Sequence, residues 1–327
     1  MLVSANRRKS NAALLSVASN SLLVAGKLAI GLMIGSVAVI SEAIHSAVDL
    51  LAALIALFAV RTSHKPADRE HPFGHGKIEN ISGTVEALLI FLAAAWIIYE
   101  AAKKLMHPEV VESIGWGVLV MGVSSLVNIL VSSHLFRVAR ETESIALEGD
   151  AWHLRTDVYT SAGVMLGLLL ILVGERLLPA YDWHWLDPAA AIVVALLIAR
   201  AAWHLTRDAA GDLLDASLPP TERQWLREYI RRPRPAVHGY HDLRTRRSGE
   251  VRFIEFHLIV HGDMTVEESH YMTDVMTLEI NKQFPNAVVT IHVEPCDGRC
   301  EPKCVDGCLL TEQERAEHRR LHHDRRA

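Results

Sequence analysis

Long apolar runs fill the first two thirds of this chain, and short alternating stretches replace them in the last third. Ile114 to Ser133 is a twenty-residue run with no charged side chain, enough to cross about 30 Å of hydrocarbon as a helix. Val158 to Gly174 and Leu28 to Ser41 are nearly as clean, and both extend into segments whose few polar groups can face a bundle interior. The pattern predicts six spans, near residues 13–35, 37–60, 80–104, 114–136, 146–174 and 186–206. Arg7, Arg8 and Lys9 before an apolar run have the look of a secretory signal, but the run from Ala12 to Gly35 is too long for one and reads as the first span.

After Leu218-Pro219-Pro220 the period changes. Thr221 to Arg232 reads as a short amphipathic helix with Thr221 as its N-cap. His238 to Thr245 and Val251 to His261 alternate as strands joined by a turn at Arg247-Ser248-Gly249. Val266 to Phe284 has helical periodicity, carried by Met272, Val275, Met276, Leu278 and Ile280. Pro285-Asn286 stops it, and Ala287 to Glu294 is a third strand. The expected fold is an α-helical membrane protein with six transmembrane helices plus an α+β domain. Its divisions are 1–208, with a loop at 61–79, then 209–296, then a charged Cys/His tail at 297–327.

Charge gives an orientation. The N-terminus, the loop after the second span (Arg61, Lys65, Arg69, Lys77) and the loop after the fourth (Arg137, Arg140) are basic. The opposite connections, Gly35-Ser36, His107 to Ser113 and Arg176 to Trp185, are short or carry Glu109, Glu112 and Asp182. Lys103 and Lys104 are exceptions that snorkelling accommodates. The positive-inside rule then puts both termini and the polar domain in the cytoplasm. A net charge of −5 over 327 residues carries no nucleic-acid footprint.

Two apolar segments carry the same spacing of metal ligands, His45-x-x-x-Asp49 and His153-x-x-x-Asp157. Residues i and i+4 share a helix face, so each pair presents an imidazole and a carboxylate in one direction. Two such helices supply two nitrogens and two oxygens, a tetrahedral set suited to Zn²⁺. Ionisable groups inside a bilayer cost about 2.5–3.5 kcal/mol each, which favours a function over mere pairing for the repeated motif. In the polar domain, strand parity places Ile254, Phe256, Leu258 and Val260 on one face, with Val289, Ile291 and Val293 also pointing to the core. His257 and His292 fall on the uncovered face with His241 nearby, either as a site or as an ordinary polar sheet surface. All four cysteines, Cys296, Cys300, Cys304 and Cys308, lie within thirteen residues. Gly298, Pro302 and Gly307 argue against a regular helix there, leaving a loop-built metal site or unliganded thiols with no set structure. Glu312 to Ala327, with His318, His322 and His323, reads as a solvated or frayed helix.

With these marks the chain resembles the cation diffusion facilitators, the zinc-transporter family of metal/proton antiporters, over residues 10–296. The resemblance rests on the two His-x-x-x-Asp motifs, the loop Pro66-Ala67-Asp68-Arg69-Glu70-His71-Pro72-Phe73-Gly74-His75-Gly76-Lys77, His241-Asp242-Leu243-Arg244-Thr245, and Ile291-His292-Val293-Glu294-Pro295. These most resemble the bacterial zinc and ferrous-iron efflux members. The resemblance implies a homodimer in the inner membrane with a metallochaperone-like cytoplasmic domain. It implies transport ligands His45, Asp49, His153 and Asp157, a loop site of Asp68, His71 and His75, and an interface site of His241, His257, His270, His292 and Glu294. It also implies that Lys77 and Asp215 form a charge pair holding the protomers together. Taken without the family, His71 and His75 are loop histidines of the usual solvated kind, although Asp68 supplies a carboxylate beside them. Position 45 is His where the bacterial members commonly have Asp, which speaks against iron, and position 294 is Glu where the family often has Asp.

The expected function is export of divalent metal from the cytoplasm in exchange for protons. Zinc is the first candidate, with cadmium and iron behind it, and zinc also serves as a regulatory ligand; no organic cofactor is expected. A membrane metallohydrolase would keep an open zinc position and a general base, but the inferred shell is filled and no His-Glu-x-x-His helix is present. A metal-sensing receptor would need the polar domain but no transport ligands reachable from both sides.

Overall fold

A computed structural model of the chain describes residues 2–34, 37–106, 115–177, 183, 185–234 and 236–324, and falls into two compact units, 1–213 and 214–327. The first consists of α1 (Leu2–Ile34), α2 (Val37–Ser63), α3 (Lys77–Met106), α4 (Gly115–Thr142), α5 (Ile145–Leu177) and α6 (Leu186–Leu213). Among the described residues, these six are long and apolar enough to cross a membrane, as the hydropathy pattern predicts. The connections Gly35-Ser36 and His107 to Ser113, and residues 178–182 and 184 of the last one, lie outside the described residues.

Several helices outrun their predicted spans. The basic N-terminus is not a tail: α1 begins at Leu2, and Lys9 is buried with its ammonium 3.3 Å from Glu79 of α3. Ser63 and Ser144 also donate to the Glu79 carboxylate, so the charge is fully engaged. Lys27 likewise donates to Glu42 at 3.0 Å and Ser46 at 2.7 Å. The bundle packs through small residues. Ala12, Ala13, Ala59, Ala146 and Ala151 lie in one core, and Ala87, Ala94, Ala195, Ala202 and Ala209 in another. In lipid no hydrophobic force draws helices together, so close approach and dispersion must do it. A Cβ at Gly163 of α5 would stand 2.6 Å from the Val194 side chain of α6, so even a methyl there would push Val194 aside. Leu22, Phe58, Leu88, Leu130 and Leu197 face outward, as lipid contact requires.

The second unit contains α7 (Pro220–Ile230), β1 (Val237–Ser248), β2 (Val251–Val260), α8 (Val266–Gln283), β3 (Val288–Pro295), α9 (Pro302–Asp306) and α10 (Glu312–Asp324). Its sheet has the order β1-β2-β3, antiparallel between β1 and β2 and parallel between β2 and β3. Ile254, Phe256, Leu258 and Val260 are buried against Met276 and Ile280 of α8 and Leu226 and Ile230 of α7, in agreement with strand parity. Two boundaries differ from expectation. The N-cap of α7 is Pro219, not Thr221, because Pro220 occupies the first helical position, where a missing N–H costs nothing. The β1–β2 turn falls after Ser248, since Arg247 and Ser248 still pair with Arg252 and Val251.

Helix α8 opens on a reciprocal cap between Thr265 and Glu268. Of its predicted apolar residues only Met276 and Ile280 are buried and Met272 partly so, whereas Val275 and Leu278 join Tyr271 in an exposed stripe. The tail forms the expected solvated helix, α10, through Asp324. Thr311 and Glu314 cap α10 reciprocally. Leu309 N–H donates to the His238 carbonyl at 2.8 Å and Tyr240 N–H to the Gly307 carbonyl at 3.1 Å, laying the tail along β1. Only glycine fits position 307, where a Cβ would stand 1.8 Å from the Tyr240 oxygen.

Candidate metal centres

Helices α2 and α5 each carry a His and an Asp one turn apart, and the bundle turns the two pairs toward each other. His153 Nε2 lies 3.1 Å from Asp49 Oδ1, and His45 Nε2 lies 3.6 Å from Asp157 Oδ1. The contacts cross between helices instead of running along either one. His45, Asp49 and Asp157 each offer a ligand atom within 4.8 Å of the others, and His153 joins them through Asp49. Asn128 of α4 donates to Asp157 Oδ2 at 3.3 Å and fixes that carboxylate. All four residues line a cavity of about 380 Å³ that also exposes Trp96 and Thr160.

Two residues beside this cavity escape the motif reading. Glu86 of α3 is fully buried, its Oε2 is 4.0 Å from His153 Nδ1, and it makes no hydrogen bond among the described residues. Asp150, also fully buried, sits one turn before His153 on α5. The available signal was their position inside apolar spans, where an ionisable residue is functional by default.

The loop between α2 and α3 gathers Asp68, His71 and His75 within 4.8 Å. His71 Nδ1 and His75 Nε2 stand 3.4 and 3.5 Å from the Asp68 carboxylate, and the two rings are 4.4 Å apart. The loop achieves this with Gly74 at φ +81°, a backbone that brings His75 back toward His71. Backbone N–H groups of His71 and Glu70 donate to Asp68 and hold its carboxyl below the usual carboxylate range. Lys77, at the end of the loop, donates to the Leu213 carbonyl, and Asp215 pairs with Arg246 at 3.5 Å within the second unit.

Sheet register builds the third group. His241 pairs with His257 and His257 with His292, so three imidazoles lie in a row across β1, β2 and β3. Glu294 is the common acceptor, 3.1 Å from His241, 2.8 Å from His257 and 3.4 Å from His292. Burial opposes its ionisation, but the His257 and His241 hydrogen bonds outweigh this and lower its pKa. His270 is not brought to the group: it lies on α8, 75% exposed, 3.7 Å from Asp274. A fourth group was not expected in this form, since it joins the tail to β1: His238, Cys296 and His318 lie within 4.8 Å. Cys300, Cys304 and Cys308 face the same cavity. Burial and the neighbouring thiols push Cys304 up to about 11.

Family models corroborate the division of labour along the chain. The cation efflux transmembrane domain matches residues 13–214 and the cation efflux protein cytoplasmic domain matches 218–296. An uncharacterized transporter of Synechocystis is 34% identical over 87% of this chain and 90% of its own. The cation-efflux pump FieF of Salmonella paratyphi A is 33% identical over 89% of this chain and 94% of its own. A solved structure of CzrB in its zinc form is 43% identical over 26% of this chain and 97% of its own, at a TM-score of 0.23.

Proposed function

The chain belongs to the cation efflux, or cation diffusion facilitator, family of membrane metal transporters, and from that premise we propose that it exports Zn²⁺ from the cytoplasm in exchange for protons. The observation that carries this reading is the crossed pairing of two His-x-x-x-Asp turns at one cavity. Two carboxylates offset the charge of a divalent ion in a low-dielectric setting, and two neutral imidazoles complete a four-coordinate shell of the kind zinc prefers. A protonated imidazole cannot ligate, so metal and protons compete for His45 and His153. Glu86 stands 4.0 Å from His153 Nδ1, the ring nitrogen that keeps its proton when Nε2 ligates, so its charge supports the ligating tautomer. Exposing this one site alternately to the two sides completes the cycle.

The working unit is a homodimer in the cell inner membrane with both termini cytoplasmic, on the charge pattern of the loops. The exposed Tyr271, Val275 and Leu278 stripe of α8 suits a second copy of the cytoplasmic domain, and Lys77 and Asp215 would reinforce the pairing near the membrane. Asp68, His71 and His75 form the loop site. Zinc held by His241, His257, His292 and Glu294, with His270 as a further ligand, would regulate transport by favouring one dimer arrangement. Two imidazoles and one carboxylate already converge there, three of the four ligands that a zinc shell takes.

The deciding experiment uses vesicles containing the purified protein, with a zinc dye inside and a pH gradient imposed. Zinc uptake should rise when the interior is acidic and should raise the internal pH in step. Uptake indifferent to the gradient refutes antiport, and flux of Fe²⁺ without Zn²⁺ refutes the substrate.

A further inference from the structure

We propose that the tail and β1 form a separate thiolate–imidazole site for a thiophilic d¹⁰ cation of the Zn²⁺/Cd²⁺ class, with His238, Cys296 and His318 as three ligands. The fourth comes from the remaining cysteines that face the cavity. Three observations converge. The three ligand atoms lie within 4.8 Å of one another although they come from β1, the segment after β3, and α10. His238 is 91% buried, at 9% relative exposure, lines the cavity, and its Nδ1 has no hydrogen-bond partner among the described residues. A buried ring nitrogen left without a partner is destabilising, and a bound cation would satisfy it.

The third observation is how the backbone holds the site. The strand-like contact of Gly239 with Cys308 closes the tail over β1, and the His318 ring meets the His238 ring edge-on with centroids 4.8 Å apart. Gly298 takes φ +69° beneath α10, where a Cβ would press on the His318 carbonyl at 3.0 Å. The cavity they enclose, about 410 Å³, is lined by all four cysteines, each of them free. Sulfur and imidazole together select borderline-to-soft tetrahedral cations over Mg²⁺ or Ca²⁺. The donor set shares no residue with His241, His257 and Glu294, although those three open onto the same cavity.

The chain has only four cysteines, all at this place, so a sulfur-to-metal charge-transfer band reports this site alone. The test is titration of reduced, full-length protein with Co²⁺ and with Cd²⁺, followed by absorbance. The expected result is a charge-transfer band with both ions and tetrahedral d–d bands with Co²⁺. Cys296→Ser and His318→Ala should each weaken the affinity behind the band by at least about tenfold, as losing ligand support does. His318 lies on the outer helix, so its replacement tests the geometry without disturbing the sheet. No charge-transfer band in the full chain overturns the site. So does a band whose affinity and d–d spectrum are unchanged in His318→Ala, since the thiols would then act alone. Zinc flux in Cys296→Ser vesicles should match the parent, and its outcome bears on transport separately from the spectra.

Discussion

The carboxylates of the proposed transport site, Asp49 and Asp157, should not be equivalent, and their ranking tests the site more sharply than loss of activity alone. Asp49 is 4% exposed in its side chain and bonded to His153 at 3.1 Å, whereas Asp157 is 21% exposed and 3.6 Å from His45. Removing one member of a buried charged pair costs about 3–5 kcal/mol, and access to solvent moves a residue toward the lower end. At about 1.4 kcal/mol per decade, Asp157→Asn should weaken zinc binding for transport ~100-fold and Asp49→Asn ~1000-fold or more. Asparagine keeps the shape at both positions, and at 157 its carbonyl can still accept from Asn128, now 3.3 Å from the carboxylate. The assay is initial zinc uptake against zinc concentration in proteoliposomes, with dimer recovery checked by size exclusion. Half-saturation within about twofold of the parent for Asp49→Asn, the scatter expected of uncoupled substitutions, would remove it from the site. A stronger effect at 157 than at 49 would refute the argument from burial.

His45→Asp gives three carboxylates and one imidazole, a harder and more negative set, so zinc movement should persist and cadmium movement should appear. Equal cadmium uptake before and after the change removes His45 as the selectivity determinant. Glu294 has a depressed pKa, so its stabilisation of the metal-free cytoplasmic domain is present above about 4.3, the unfolded value, and is lost as pH falls through the folded one. The domain's urea midpoint should therefore fall more steeply in acid for the parent than for Glu294→Gln, and parallel profiles would contradict the hydrogen-bonding assigned to it. Gly307→Ala forces a Cβ to 1.8 Å from the Tyr240 carbonyl and should cost about 1–3 kcal/mol and release the tail. Limited proteolysis after residue 296 reads this directly, and unchanged protection would mean that the tail is held elsewhere.

What the sequence disclosed and what it hid follow from the range of the physics involved. Six spans were legible because hydropathy adds residue by residue, and the Ile254, Phe256, Leu258 and Val260 face because strand side chains alternate with period two. The row His241, His257 and His292 needed one thing more, the register of three strands, which puts all of them beside Glu294. At the proposed transport site the motif named the four residues but not their partners. His45 meets Asp157 rather than Asp49 because helix rotation is set by packing between α2 and α5, which no i, i+4 rule contains. Glu79 and Glu86 are two turns apart on one face of α3, yet one carboxylate is buried with Lys9 and the other stands beside His153. Glu86 was visible as a charge inside an apolar run, whereas Glu79 fell at the end of the predicted loop. Only the fold separates an ion pair that anchors α1 from a carboxylate beside a candidate metal ligand. The tail was least legible, because its order depends on Gly239 and Gly307 allowing two backbones to touch across nearly seventy residues of sequence. Cysteine spacing alone favoured neither a site nor disordered thiols. What favours the proposed site is His238, a strand residue with an unpartnered ring nitrogen that comes within 4.8 Å of Cys296 and His318 only when the tail has folded back.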